Sequence, residues 1–184
     1  MQLSQTTVLV TGSNRGLGRA LVQAFLAAGA RRVYAGARDP VQLASIASDR
    51  LIPIALDITN QRSLATAAER IPELDILVNN AGVLASYNVL VSTPAQIAED
   101  FAINFYGTLA ATRAFLPALE RTSTTRPAAL VNILSVVSLA SMPSLGGYSA
   151  AKAAAYSATQ ALRGELAAKQ ISVHAVFPGA MTPT

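Results

Sequence analysis

The chain has no cysteine, no tryptophan and one histidine, and charged residues make up only 13 % of its 184 positions. Without cysteine there is no disulfide framework and no thiolate metal site. His174 stands alone, with no His/carboxylate cluster that could bind a transition metal. Sparse charge beside a 52 % hydrophobic fraction excludes a disordered chain. The net charge is +4, yet the arginines are scattered and the longest basic run is Arg31-Arg32. That pattern argues against nucleic acid, which demands a basic stripe interleaved with aromatics. The opening MQLSQTTVLVTG lacks the charged and apolar regions of a signal peptide. An uncharged stretch between Pro127 and Ala151 is long enough to span a membrane, but Asn132, several serines, Pro143 and Gly146-Gly147 break it into a strand and a loop. The expectation is one cytoplasmic domain over 1–184, with neither membrane nor nucleic acid as partner.

Short β-branched runs alternate with longer helical patterns. The strand candidates are 6–10, 31–37, 51–56, 74–79, 128–134 and 171–177. They are continuous apolar runs, as expected of a parallel sheet covered on both faces. Leu17, Ala20, Leu21, Ala24, Phe25 and Ala28 recur at helical spacing, and Gly29 stops that helix. Asp39-Pro40 reads as an N-cap with proline at the first helical position. Thr93-Pro94 opens a helix running to about Glu120, and Gly146 opens an alanine-rich one to about Lys169. Repeated βα units with right-handed crossovers predict an α/β, Rossmann-type, doubly wound parallel sheet in three αβα layers.

TGSNRGLG (11–18) joins the first strand to the first helix. Gly12 permits the tight turn, Gly16 lets a pyrophosphate approach the backbone, and Gly18 lets helix and strand pack closely. The spacing G-x-x-x-G-x-G resembles the cofactor fingerprint of the classical short-chain dehydrogenase/reductase family. The resemblance implies nicotinamide-cofactor contacts from Ser13, Asn14, Arg15 and Leu17 as well as the three glycines. An NAD-binding chain would place an acidic residue after the second strand to bond the ribose 2′-hydroxyl. Here Ala37 is followed by Arg38, which suits a 2′-phosphate, and Arg15 stands where NADP-preferring members carry a second basic residue. Asp39 is the counter-argument, answered if it is the N-cap of the next helix, its carboxylate pointing at backbone N–H groups rather than at ribose. The expected cofactor is NADP(H) in preference to NAD(H). Asp57, with Ile58 beside it, reads equally as an N-cap for the helix at 60–70 and as the adenine contact the family implies. NNAG (79–82) resembles the family motif that lines the adenosine ribose and stabilises the sheet, and implies roles for Asn79, Ala81 and Gly82.

Tyr148 and Lys152 are i and i+4 on one helix, and Ser135 lies thirteen residues before the tyrosine. With Asn104 in INFYG they resemble the family's Asn, Ser and Tyr-x-x-x-Lys set. The resemblance implies that Tyr148 is the general acid/base, that Lys152 lowers its pKa and binds the nicotinamide ribose, that Ser135 donates to the developing alkoxide, and that Asn104 holds a relay water. Pro178-Gly179 resembles the turn beside the nicotinamide, with Met181 bonding the carboxamide. The expected activity is hydride transfer between nicotinamide and a carbonyl/alcohol substrate. A non-catalytic NADP(H)-binding sensor or assembly module is the alternative. His174 reads as a structural strand residue.

Leu134 and Ser138 replace a frequent serine and glycine of the family, and Pro183 occupies the threonine register between Thr182 and Thr184. Family members continue past this point, so the sequence reads as C-terminally incomplete, lacking the usual last helix and strand. Residues 84–93 and 136–147 are left to face the substrate. An alanine-rich face (Ala150, Ala153, Ala154, Ala158, Ala161) suggests a homodimer or homotetramer.

Overall fold

The computed structural model describes residues 2–43 and 45–180. Six strands form one parallel sheet: β1 (Thr7–Thr11), β2 (Arg32–Ala37), β3 (Leu51–Ala55), β4 (Ile76–Asn79), β5 (Ala128–Ile133) and β6 (Ile171–Val176), in the order β3-β2-β1-β4-β5-β6. All five residues of β1 are buried, which is why its run is apolar rather than alternating. Side chains on its two faces enter different cores. Leu9 joins Leu77, Phe115, Leu119 and Leu130 on one side, while Val8 and Val10 join Val22, Leu26 and Val33 on the other.

The helices are α1 (Gly16–Ala27), α2 (Gln61–Glu69), α3 (Pro94–Phe101), α4 (Thr108–Ser123) and α5 (Gly146–Glu165). A capping box between Thr93 and Gln96, with Pro94 at the first turn, starts α3 as its sequence predicts. The expected single helix over 94–120 is interrupted by a π-helical turn at Ala102–Gly107. Such turns concentrate at functional sites, and this one contains Asn104. Asp39-Pro40 introduces only a short 3-10 turn (Pro40–Leu43) instead of a helix. Among the described residues, no helix is long and apolar enough to cross a membrane, and no group of three ligating side chains could hold a metal ion.

The chain runs outward from β1 to β2 and β3, then returns to place β4 on the other side of β1. At that reversal the loops after β1 and β4 diverge, and a crevice opens beyond their carboxyl ends.

Candidate active site

That crevice is a cavity of about 900 Å³ extending from Arg38 and Asp57, beside β2 and β3, to Ser135 and Tyr148 beside β5. At its β1 edge Gly12 and Gly16 adopt φ of 67° and 52°, conformations that L side chains rarely adopt. A Cβ on Gly18 would lie 2.1 Å from the Gly12 carbonyl oxygen, so helix and turn touch only because the residue is glycine. Around Gly16 a Cβ would meet nothing within 4 Å, leaving the backbone open to the cavity. No side chain caps the N-terminus of α1, and no acidic residue lies in its first turn. Its leading N–H groups and positive dipole end are therefore left without a side-chain cap.

Asn14, Arg15, Gly16, Leu17, Gly18, Arg38, Asp57, Ile58, Ala81, Gly82, Pro178 and Gly179 all line the cavity. Ser13 does not. It is fully buried, and its hydroxyl donates to the Val10 carbonyl at 2.6 Å. Asp39 turns away as well, its Oδ1 accepting from the Val41 N–H at 3.1 Å. Asp57 is not the cap of α2, because Asn60 takes that place and accepts from the Ser63 N–H. Instead Asp57 accepts from the Thr59 hydroxyl at 2.7 Å and the Thr59 N–H at 2.9 Å. Those two bonds, with Arg38 adding its charge, hold its carboxyl below the usual range.

Asn79 is a correction. It is buried in the sheet and donates to Thr112 and to Asn132 Oδ1, both at 2.9 Å, so it ties β4 to α4 and β5 and does not reach the cavity. Asn80, which the sequence reading omits, lines the cavity and donates to the Thr11 and Gly12 carbonyls at 2.9 and 3.1 Å.

At the far end stand Ser135, Tyr148 and Lys152. Ser135 heads a short turn in which the Ser138 hydroxyl accepts from the Ser135 N–H at 3.2 Å. The departure at position 138 thus stiffens the backbone that carries Ser135. Lys152 is buried, donates from Nζ to the Ile133 carbonyl at 3.0 Å, and holds Nζ 5.8 Å from the centre of the Tyr148 ring. A Cβ on Gly82 would lie 2.8 Å from Asn104 Oδ1 and 3.5 Å from Lys152 Nζ, so these polar groups converge where glycine leaves room.

Burial dominates the electrostatics of Tyr148 and Lys152. Burial pushes the Tyr148 phenol up, the neighbouring Ser135 hydroxyl opposes that, and the negative charge of Asp100 adds to it. Lys152, whose Nζ lies 5.8 Å from the ring centre, is itself desolvated, and its pKa is brought down to about 8. Asn104 is buried, and both ends of its side-chain amide are bonded: Nδ2 donates to the Val83 and Asp100 carbonyls, and Oδ1 accepts from the Val83 N–H. It braces the cavity wall with that side chain, while its own carbonyl accepts from Thr108. His174 is exposed on β6, away from the cavity, as expected. Met181, Thr182, Pro183 and Thr184 lie outside the described residues.

A sequence model of the short chain dehydrogenase family matches residues 6–184. Short chain dehydrogenase pigC of Monascus ruber is 34 % identical over 96 % of this chain and 63 % of its own length. A short chain dehydrogenase from Burkholderia cenocepacia, solved in complex with NADP, superposes with a TM-score of 0.93 at 38 % identity, covering 100 % of this chain and 76 % of that one. The 3-ketoacyl-(acyl-carrier-protein) reductase of Brucella melitensis, solved with NADH, gives 0.89 at 28 % identity, covering 96 % and 77 %. The chain spans 42 to 64 % of the length of four curated relatives it matches. With this fold and a family match over nearly its whole length, the chain belongs to the short chain dehydrogenase family.

Proposed function

We propose that the protein is an NADP(H)-dependent oxidoreductase that interconverts a carbonyl compound and an alcohol, with Tyr148 as general acid/base. The observation that carries this reading is one continuous cavity with Ser135, Tyr148 and Lys152 at one end and an uncapped glycine turn beside two arginines at the other. The residues fit a dinucleotide: the Gly16 backbone is open, and the first turn of α1 offers N–H groups to phosphate. Arg15 and Arg38 would hold a 2′-phosphate, and Asp39 is turned away from it. The cofactor, when bound, supplies or accepts the hydride.

The chain supplies the proton and the geometry. In reduction Tyr148 donates its phenolic proton to the substrate oxygen, and in oxidation the phenolate takes it back. Its raised pKa keeps the phenol protonated near neutrality, the form reduction needs. Ser135 donates to the oxygen as charge develops there. Lys152, fixed by Ile133, places a positive charge beside the ring and favours phenolate once the proton has left.

Arg38→Ala tests the cofactor assignment. Losing one charge-assisted bond should weaken NADPH binding about tenfold or more and leave NADH binding within about twofold, as read by fluorescence titration. Equal loss for both cofactors would remove Arg38 from the 2′-phosphate role. Ala150, Ala153 and Ala161 lie exposed along α5, with Ala154 and Ala158 half-buried beside them. We propose that this face packs against a second copy, which leads sedimentation at micromolar concentration to show a dimer or tetramer. A monomer alone would contradict the pairing.

A further inference from the structure

Asp100, one residue before the end of α3, is completely buried although it is a carboxylate. Burying a charge is expensive unless other groups compensate it. Among the described residues it makes no ion pair. Its compensation comes entirely from one short segment: Oδ1 accepts from the Ala85 N–H at 2.9 Å, and Oδ2 accepts from the Ser86 N–H at 3.0 Å and from the Ser86 hydroxyl. That segment continues Val83 and Leu84, which line the cavity. Asn104, one helical turn later, grips Val83 on both its N–H and its carbonyl. Two successive polar side chains on one helix face therefore clamp the wall. Ser86 also packs against the first turn of α5, since a Cβ on Gly147 would lie 2.1 Å from its hydroxyl oxygen. Gly147 immediately precedes Tyr148.

We propose that Asp100 is a positioning residue: its carboxylate latches residues 85–86 to α3 and presents a fixed negative charge to the turn that carries Tyr148. This rests on the acid/base reading of Tyr148. The charge acts on Tyr148 in the sense that holds its proton in place. The other charged groups at that end are Lys152 on α5 and Glu99 on α3, which lines the cavity. The end of β5 presents the neutral Ser135, and Pro178-Gly179 after β6 carry no side-chain charge. Arg38 and Asp57 lie beyond β2 and β3.

Two readouts that need no turnover test the proposal. The first is the phenolate absorbance of Tyr148 against pH, isolated by subtracting Tyr148→Phe in the same background. In Asp100→Asn the tyrosine should titrate at lower pH, because a negative charge has been removed. The second is amide hydrogen exchange at Ala85 and Ser86, which should quicken about tenfold or more once the carboxylate is gone. An unchanged titration or unchanged exchange overturns the proposal. Ser86→Ala keeps the charge and removes one donor, so Ser86 exchange should quicken while Tyr148 titrates where it did. If Asp100→Asn does not fold, Ser86→Ala decides alone, and unchanged exchange there is a refutation. Carbonyl reduction surviving in Tyr148→Phe would refute the acid/base reading separately, leaving both readouts interpretable.

Discussion

Tyr148→Phe should lower NADPH-dependent carbonyl reduction by about 10²–10⁴-fold, the usual contribution of a positioned general acid, while NADPH affinity stays within about twofold. The substitution removes one hydroxyl and keeps the ring, so Lys152 retains the surface it packs on and its bond to Ile133. Ser135 remains to donate to the substrate oxygen, but a hydrogen bond cannot replace the proton that product formation requires. Steady-state rates with a panel of ketones and aldehydes, followed by nicotinamide absorbance, check this. A variant that keeps its rate would show that the proton comes from elsewhere. A protein with no rate to lose, yet binding NADPH normally, would be a cofactor-binding module instead.

Lys152→Met should abolish turnover and at the same time stabilise the fold. Lys152 is only 5 % exposed, and among the described residues the Ile133 carbonyl is its one hydrogen-bond acceptor. Burial brings its pKa from 10.5 to about 8. A base with a depressed pKa opposes folding wherever it is protonated, because the unfolded chain holds that proton more tightly. The penalty is fully present below about 8 and fades as pH rises from there toward 10.5, a window in which the unfolded lysine is still charged and the folded one is not. At about 1.4 kcal/mol per pKa unit, and less the loss of the Ile133 bond, the methionine variant should gain about 2 kcal/mol near neutrality. Methionine fills the same volume without the charge. Urea denaturation across that window checks the sign: the unmutated protein should gain stability with pH and the variant should stay level. A less stable variant near neutrality would mean the buried charge is compensated by more than Ile133. Retaining a destabilising cation is what a site selected for chemistry rather than stability is expected to do.

The sheet was legible because its strands are buried on both faces and leave continuous apolar runs, as in the wholly buried β1. The phosphate turn was legible because close backbone contacts exclude a Cβ at 12 and 18 and a positive φ favours glycine at 12 and 16. Tyr148 and Lys152 could be read together from helical periodicity alone. Other features had no local signature. The sequence does not say which of Asn79 and Asn80 leaves the sheet toward the cavity. The π turn at Ala102–Gly107 contains no proline, and its one glycine closes it. Asp100 looks like a solvated helix charge, since only the folded chain brings the Ala85 and Ser86 donors to it. The direction of the Tyr148 shift also depends on burial, which residue spacing does not encode.

Calorimetric titration of the chain with NADPH and then NADH is the most direct test. The account predicts saturable binding of both, with NADPH tighter by about tenfold or more through the two arginines. NADH binding as tightly as NADPH would contradict the role given to Arg15 and Arg38. Binding of neither would contradict the assignment of the cavity to a dinucleotide.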